Sequence, residues 1–341
     1  MTTPIQIEQF LELSRTLPIF DVRAPAEFAY GHIPGAFNLP LFTDEQRAAV
    51  GTLYAHQGKQ AAISKGLEYV GPHLIHFVEQ VKTCTNSKSI LVHCWRGGMR
   101  SKSIAWLLNL MGYEVYLLEG GYKSYRAHTR SVFEQPYNFN VIGGTTGCGK
   151  SIILEKLKAL HQQVIDLEQL AHHRGSAFGA LGQKPQPTQA QFENNLAHAL
   201  MQCDLDKPIW IEDESLRIGS LFIPQPLFKT MRSSLLLHIS VDQETRCEII
   251  KKMYGHFSGD ALIACVQSIQ EHLGGTRTQE ITQLIATNQI HQAILRLLDY
   301  YDKKYTFGLS QRNHEKIQPI TLAGNDYSQH AQALINHVCK S

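Results

Sequence analysis

Short apolar runs alternate with longer amphipathic stretches through the first three-fifths of the chain. Residues 19–22, 89–93 and 115–118 are compact apolar segments of strand length. Between them, residues 60–82 read as helical with a break near Gly71-Pro72, and residues 100–111 as an apolar-rich helix. Gly120-Gly121 closes the third strand. A second series begins near residue 138. Residues 139–142 form a strand that runs into a glycine-rich turn and a helix, and residues 164–167, 209–211 and 235–240 are further strands. After about 242 the strand signal stops, and residues 242–300 read as mostly helical with a break at Gly274-Gly275. Strands separated by helices predict an α/β fold built on parallel sheets covered on both faces. The expected units are residues 8–134 and residues 138–341, joined around Pro136, the second ending in a helical region. Residues 183–189, QKPQPTQ, read as an exposed loop.

Bulk properties narrow the class. At 341 residues the chain has room for two cores, and 43% hydrophobic with 18% charged residues is an ordinary globular balance. A net charge of +2 neither demands nor excludes nucleic acid, because a basic patch can hide in a balanced total. The apolar runs are too short to span a bilayer, and MTTPIQIEQF lacks the regions of a signal peptide. Seven cysteines without a C-x-x-C argue against a disulfide framework or a zinc site. A cytoplasmic location and no membrane are expected.

Residues 89–104, SILVHCWRGGMRSKSI, place Cys94 where a strand turns into a helix. Most cysteines are buried structural residues. Here backbone N–H groups and the helix N-terminus converge on the thiol, and Arg96 and Arg100 add charge, which favours the reactive thiolate. Gly97 and Gly98 let the backbone curl round an anion. Cys94 is therefore the expected nucleophile.

These residues, with Asp21-Val22-Arg23, Glu27, Gly31-His32-Ile33-Pro34-Gly35-Ala36 and Asn38, resemble the rhodanese domain over residues 8–134. The resemblance implies that Asp21 and Arg23 help build the active loop and that Cys94 carries sulfur or selenium as a persulfide or perselenide. The spacing from Cys94 to Arg100, C-x5-R, is one residue longer than in common sulfurtransferases and matches the loops of related phosphatases. A wider pocket for a larger anion is expected.

Residues 144–151, GTTGCGKS, match the phosphate-loop pattern in its strand-to-helix context. Gly144, Gly147 and Gly149 expose amides to phosphate, Lys150 bridges its oxygens, and the Ser151 hydroxyl can hold Mg²⁺. Cys148 is a small filler at a variable position. Asp213, in the acidic end of the 209–211 strand, is the expected second acid, with Asp166 and Glu168 as similar candidates. No nucleobase-reading motif accompanies the loop, which favours a non-nucleotide diphosphate.

The order of the two sites, with Gly121-Tyr122-Lys123, His173-Arg174-Gly175-Ser176, Glu212-Asp213-Glu214-Ser215, Ile218-Gly219 and Tyr300-Tyr301-Asp302, resembles the bacterial tRNA 2-selenouridine synthase family over nearly the full length. That resemblance implies two steps on the wobble base of tRNA. Geranyl diphosphate alkylates 2-thiouridine on sulfur, and selenium from selenophosphate then replaces the geranylated sulfur. It implies these two co-substrates, no tightly bound cofactor, and a transient contact with the enzyme that supplies selenophosphate. Lys123, Arg126 and Arg130 recur at helical spacing with Tyr125 between them, so they are expected to meet RNA phosphates while the aromatic stacks on a base. Arg174 is expected to help. The residues alone leave two other readings open. One is a phosphatase or plain sulfurtransferase fused to a small-molecule kinase. The other is a non-enzymatic redox or phosphate sensor.

Overall fold

A computed structural model describes residues 2–322 and 326–339. The chain separates into two compact units. One comprises Met1–Val132 with Glu193–His198, the other Phe133–Phe192 with Ala199–Ser341. The expected limit at 341 lies outside the described residues.

The N-terminal unit runs β1 (Thr2–Ile5), α1 (Ile7–Leu13), β2 (Ile19–Asp21), α2 (Pro25–Tyr30), β3 (Phe37–Asn38), α3 (Asp44–Val70), α4 (Leu74–Cys84), β4 (Ser89–His93), α5 (Met99–Leu110), β5 (Glu114–Leu118) and α6 (Gly121–Val132). Its sheet has the order β1-β5-β4-β2-β3, all parallel. The helical stretch around Gly71 breaks there in a short 3₁₀ turn, as expected, but α3 begins well before residue 60. Alternation along β4 explains its continuous apolar run. Ile90 and Val92 pack into a core with Phe20, Ile104 and Leu108, while Leu91 packs into another with Phe10, Tyr122 and Tyr125. Both faces are covered, so both must be apolar. β4 is the central strand, and Cys94 lies just past its carboxyl end, where open α/β sheets bind ligands.

The second unit runs β6 (Phe139–Gly144), α7 (Lys150–Ala159), β7 (Gln163–Ile165), α8 (Leu167–Ala171), α9 (Gln189–Met201), β8 (Ile209–Glu212), β9 (Arg217–Ile218), β10 (Leu221–Phe222), α10 (Gln225–Ser233) and β11 (Leu235–Ser240). Then come α11 (Gln243–Tyr254), α12 (Gly259–Gln267), α13 (Gln270–Leu273), α14 (Gly275–Ala286), α15 (Ile290–Ser310), β12 (Ile317–Thr321) and α16 (Tyr327–Val338). Its main sheet has the order β12-β11-β6-β8-β7, again all parallel, with β6 at the centre. β12 corrects the expectation that strands end near 242. It is an edge strand carrying Pro319, whose missing N–H an edge tolerates. β1, also at an edge, carries Pro4 and begins upstream of residue 8. Side-chain caps open several helices: Asp166 accepts from the Gln169 amide, Thr188 from Gln191 and Asp242 from Thr245. The helices after β11 pack with Phe178, from the α8–α9 connection, into a separate core that includes Leu262, Val266, Ile281, Ile285 and Leu297.

Candidate active sites

Cys94 is only 2% exposed, and its sulfur accepts two hydrogen bonds. The Gly98 amide and the Ser101 hydroxyl each donate to Sγ at 3.2 Å. Gly98 caps α5, so the sulfur sits at the positive end of a 12-residue helix. The loop is clamped from the other side by the first turn of α6. The Tyr122 amide donates to the Cys94 carbonyl at 2.8 Å and the Lys123 amide to the Trp95 carbonyl at 3.0 Å. Gly121 has φ +60°, and a Cβ there would lie 2.4 Å from the Cys94 carbonyl oxygen. Only glycine allows that approach. Trp95, on the loop, and Met99, at the start of α5, stand exposed.

Asp21 and Arg23 form a fully buried ion pair, with Arg23 Nε donating to both carboxylate oxygens at 3.0 Å. Arg23 Nη2 also donates to the Gly31 carbonyl at 2.7 Å, and its guanidinium lies 3.8 Å from the Tyr122 ring centre. Asn38 Nδ2 donates to the carbonyls of both Asp21 and Arg23. Burial works to raise the Asp21 pKa, but His93 and Arg23 outweigh it and hold the carboxyl below its usual range. His93, 3.7 Å from Asp21, is pushed down by its own burial. The pair is a frame beneath the loop. Arg100 Nη1 donates to Glu27 at 2.6 Å, which fixes the orientation of its guanidinium. Burial would raise Glu27, but the Arg100 bond and charge hold it low. Arg96 is exposed beside the loop.

In the second unit the phosphate loop joins the central strand β6 to α7, as the motif requires. Gly149 has φ +82°, and a Cβ there would lie 2.6 Å from the Tyr327 ring. Lys150 Nζ donates to the Gly144 carbonyl at 3.3 Å, and Ser151 Oγ donates to Glu168 at 3.0 Å. The Glu168 amide donates in turn to Glu212 at 2.8 Å. Burial and the nearby Glu168 push Glu214 up to about 8, and burial raises Glu168 as well. Burial acts against the Lys150 charge, but Cys148, Glu214 and Glu168 outweigh it and raise the Lys150 pKa. Asp213 is placed differently from expectation. It accepts from Arg312 and lies 3.7 Å from Arg232, so Glu168 is the acid at Ser151. The Ser151 hydroxyl and the Glu168 and Glu214 carboxylates are hard oxygen donors that suit Mg²⁺.

A cavity of about 560 Å³ opens from this loop. Thr146, Gly147, Lys150, Ser151, Arg174 and Glu214 form polar parts of its wall. Ile250, Met253, Leu262, Ile285, Ile294 and Leu297, from α11, α12, α14 and α15, form an apolar part. The size is that of a small-molecule site.

Residues 137–332 match the family model of the tRNA 2-selenouridine synthase AAA domain, and residues 4–128 match that of the rhodanese-like domain. The chain is 33% identical over 350 residues to the tRNA 2-selenouridine synthase of Shewanella denitrificans, covering 92% of this chain and 93% of that one. It is 34% identical over 361 residues to that of Proteus mirabilis, covering 95% and 96%. The chain belongs to the tRNA 2-selenouridine synthase family. It is also similar to a solved N-terminal domain from Clostridium difficile 630, with 43% identity over 37% of this chain and 98% of that one, at a TM-score of 0.35. No helix among the described residues is long and apolar enough to cross a membrane.

The remaining expectations for this family member concern RNA. Lys123 and Arg130 are exposed on α6. Tyr125 is corrected: it is 0% exposed, in the core with Phe10 and Leu91, and offers no face to a base. Arg126 is half-buried and donates to Glu193 and to Asn194, in the segment that clusters with the N-terminal unit. Arg174 is part of the cavity wall, with its guanidinium 5.7 Å from the Tyr254 ring centre. Ser101 and the apolar wall were not singled out from sequence as site residues, whereas Glu214 belongs to the acidic strand end where the second acid was expected. Glu214 and Ser101 stood within motifs that carry the resemblance. The apolar wall has no sequence signal that separates a cavity lining from a packed core.

Proposed function

We propose that the protein converts 2-thiouridine at the tRNA wobble position to 2-selenouridine through an S-geranyl intermediate. The observation that carries this reading is the cavity, in which a phosphate loop and an aliphatic wall belong to one space. A prenyl diphosphate needs both: amides and a lysine for its diphosphate, apolar side chains for its hydrocarbon. Geranyl diphosphate lies with its diphosphate against the amides of Gly144, Gly147 and Gly149 and against Lys150. The thiocarbonyl sulfur attacks the first geranyl carbon, the carbon–oxygen bond breaks, and the base loses its N3 proton. Lys150, kept charged by its acidic neighbours, stabilises the departing diphosphate. Ser151 with Glu168 and Glu214 would hold Mg²⁺, which supplies further charge to the diphosphate.

Alkylation makes the sulfur a better leaving group for the second step. There water takes the phosphoryl group of selenophosphate as phosphate, and the freed hydroselenide displaces a small thiol from a mixed disulfide on Cys94, leaving the selenium on Cys94 as a perselenide. The perselenide displaces geranylthiolate at C2 of the base, and the small thiol then cleaves the selenium–sulfur bond, which releases 2-selenouridine and restores the mixed disulfide. The Gly98 amide and the Ser101 hydroxyl, both donors to Sγ, support an anionic sulfur or selenium at this position. The long C-x5-R loop supports an anion wider than those of common sulfurtransferases. The test is to incubate the protein with thiolated tRNA, geranyl diphosphate and selenophosphate, then digest the tRNA and weigh its nucleosides. The expected products are S-geranyl-2-thiouridine early and 2-selenouridine late. Unchanged 2-thiouridine would sink the reading.

A further inference from the structure

Two stretches of the second unit carry cations and no acid. Residues 225–240, QPLFKTMRSSLLLHIS, hold Lys229 and Arg232, and residues 303–314, KKYTFGLSQRNH, hold Lys303, Lys304 and Arg312. The first is α10 with β11, and the second is the C-terminal end of α15 with the turn that follows. They meet directly, because Arg232 Nη2 donates to the Gly308 carbonyl at 3.1 Å. Their junction is part of the wall of the phosphate-loop cavity, which includes Phe228, Arg232, Lys304, Gly308 and Gln311. Two of the nearby acids are already engaged, and a third, Asp299, is exposed on α15 one turn before Lys303. Asp213 is bound to Arg312 and faces Arg232, and Asp302 pairs with Arg246 at 2.6 Å.

One aromatic ring on this rim is out of place for a packed protein. Phe307 is 70% exposed. It follows Lys303 by four residues and Lys304 by three, so on α15 the ring and the two exposed ammonium groups share a face. An exposed ring flanked by lysines, on the helix whose Lys304 and Gly308 line a phosphate-binding cavity, matches the way unpaired nucleotides are held: cations follow the backbone and an aromatic stacks on a base. A membrane would need a broad apolar face, which a single ring does not provide.

We propose that the α10–α15 rim is the surface that receives the single-stranded anticodon loop of the RNA substrate. Lys303 and Lys304 meet backbone phosphates, and Phe307 stacks on an unpaired base beside the one that enters the cavity. Arg232 positions the rim through Gly308 and Asp213. The inference rests on the reading that a tRNA base is alkylated in this cavity, and it moves RNA recognition from the α6 face to α15.

The experiment measures binding of a fluorescent anticodon stem–loop carrying 2-thiouridine to the full-length protein, by anisotropy across a salt series. Lys303→Glu with Lys304→Glu is expected to weaken binding at least ~10-fold and to flatten the salt dependence. Phe307→Ala is expected to weaken it ~10-fold with the salt dependence unchanged, and Phe307→Tyr to keep wild-type affinity. All three positions are exposed, so melting temperatures should hold. Lys303→Ala with Lys304→Ala serves if the double glutamate does not fold. Calorimetric titration with inorganic diphosphate, run in parallel, is expected to match between wild type and the Phe307 variants. A wild type that binds RNA but not diphosphate would count against the alkylation reading, not the rim. Unchanged RNA affinity in the charge and ring variants would overturn the rim, and so would a loss seen only in Lys123→Glu with Arg130→Glu. Variants that bind RNA normally but lose binding to anionic lipid vesicles would assign the rim to a membrane surface and overturn it too.

Discussion

At the residue scale, the two sites divide the chemistry between a sulfur and an ammonium. Cys94→Ser keeps a group that can accept from the Gly98 amide and the Ser101 hydroxyl, so the loop should stay folded. It cannot form a perselenide. The expected outcome is accumulation of S-geranyl-2-thiouridine with no 2-selenouridine, read by nucleoside mass spectrometry. Loss of alkylation in a folded Cys94→Ser protein would contradict the division. Lys150→Ala removes the charge aimed at the departing diphosphate, and alkylation should slow by roughly 10²–10³. The frame beneath Cys94 is open to a separate test. Asp21→Asn would leave the Arg23 guanidinium buried without its counter-charge, at a cost of about 3–5 kcal/mol. Urea unfolding of the variant reads that cost directly.

At the element scale, the first turn of α6 is what fixes the shape of the active loop. Gly121→Ala would set a methyl 2.4 Å from the Cys94 carbonyl in a left-handed backbone conformation. The turn must then withdraw, breaking the Tyr122 and Lys123 amide bonds to the loop, at about 1–3 kcal/mol. Changed alkylation of Cys94 by iodoacetamide, with helix content retained in circular dichroism, is the expected signature. The clamp was not legible in the sequence, because Gly120-Gly121 reads as the stop of a strand and Gly121-Tyr122-Lys123 as part of a family resemblance, and neither reading sets these residues against Cys94. The central strands were legible for a physical reason. β4 and β6 are buried along nearly their whole length and so are mostly apolar, with Asn140 the polar exception inside β6 and Ser89 and His93 at the ends of β4, and each runs into a glycine-bearing loop whose motif marks where the strand ends. The edge strands β1 and β12 were not, since each is interrupted by proline and neither is buried along its length. Tyr125 shows the opposite failure. Its spacing between basic residues suggested an RNA face, but every third or fourth position of a helix can equally point to the core, and the pattern alone does not say which.

At the scale of the whole molecule, the two units should answer pH in opposite directions. In the N-terminal unit, Asp21 and Glu27 are held below the ordinary carboxylate range and His93 below its usual value. Folded, these groups bind fewer protons than unfolded, so their stabilisation is present at neutral pH and is lost on acidification. In the second unit Glu214 rises from 4.5 to about 8, with Glu168 and Glu212 shifted the same way by burial. Folding there takes up protons. That contribution is complete below about 4.5, declines as pH rises through about 8, and is level beyond it. The raised Lys150 does not enter this window, because its ordinary value is already 10.5 and its shift is upward. Calorimetric melting in a chelator, at pH steps from 4 to 9, should therefore show the transition of the phosphate-loop unit falling with pH while that of the rhodanese-like unit falls with acid. Glu214→Gln carries no ionisable proton and should flatten the decline between pH 5 and 8 without moving the acid limb. An unchanged slope in that variant would mean that Glu214 is ionised in the free protein, and that Lys150 and not a shared proton balances the carboxylates around Ser151.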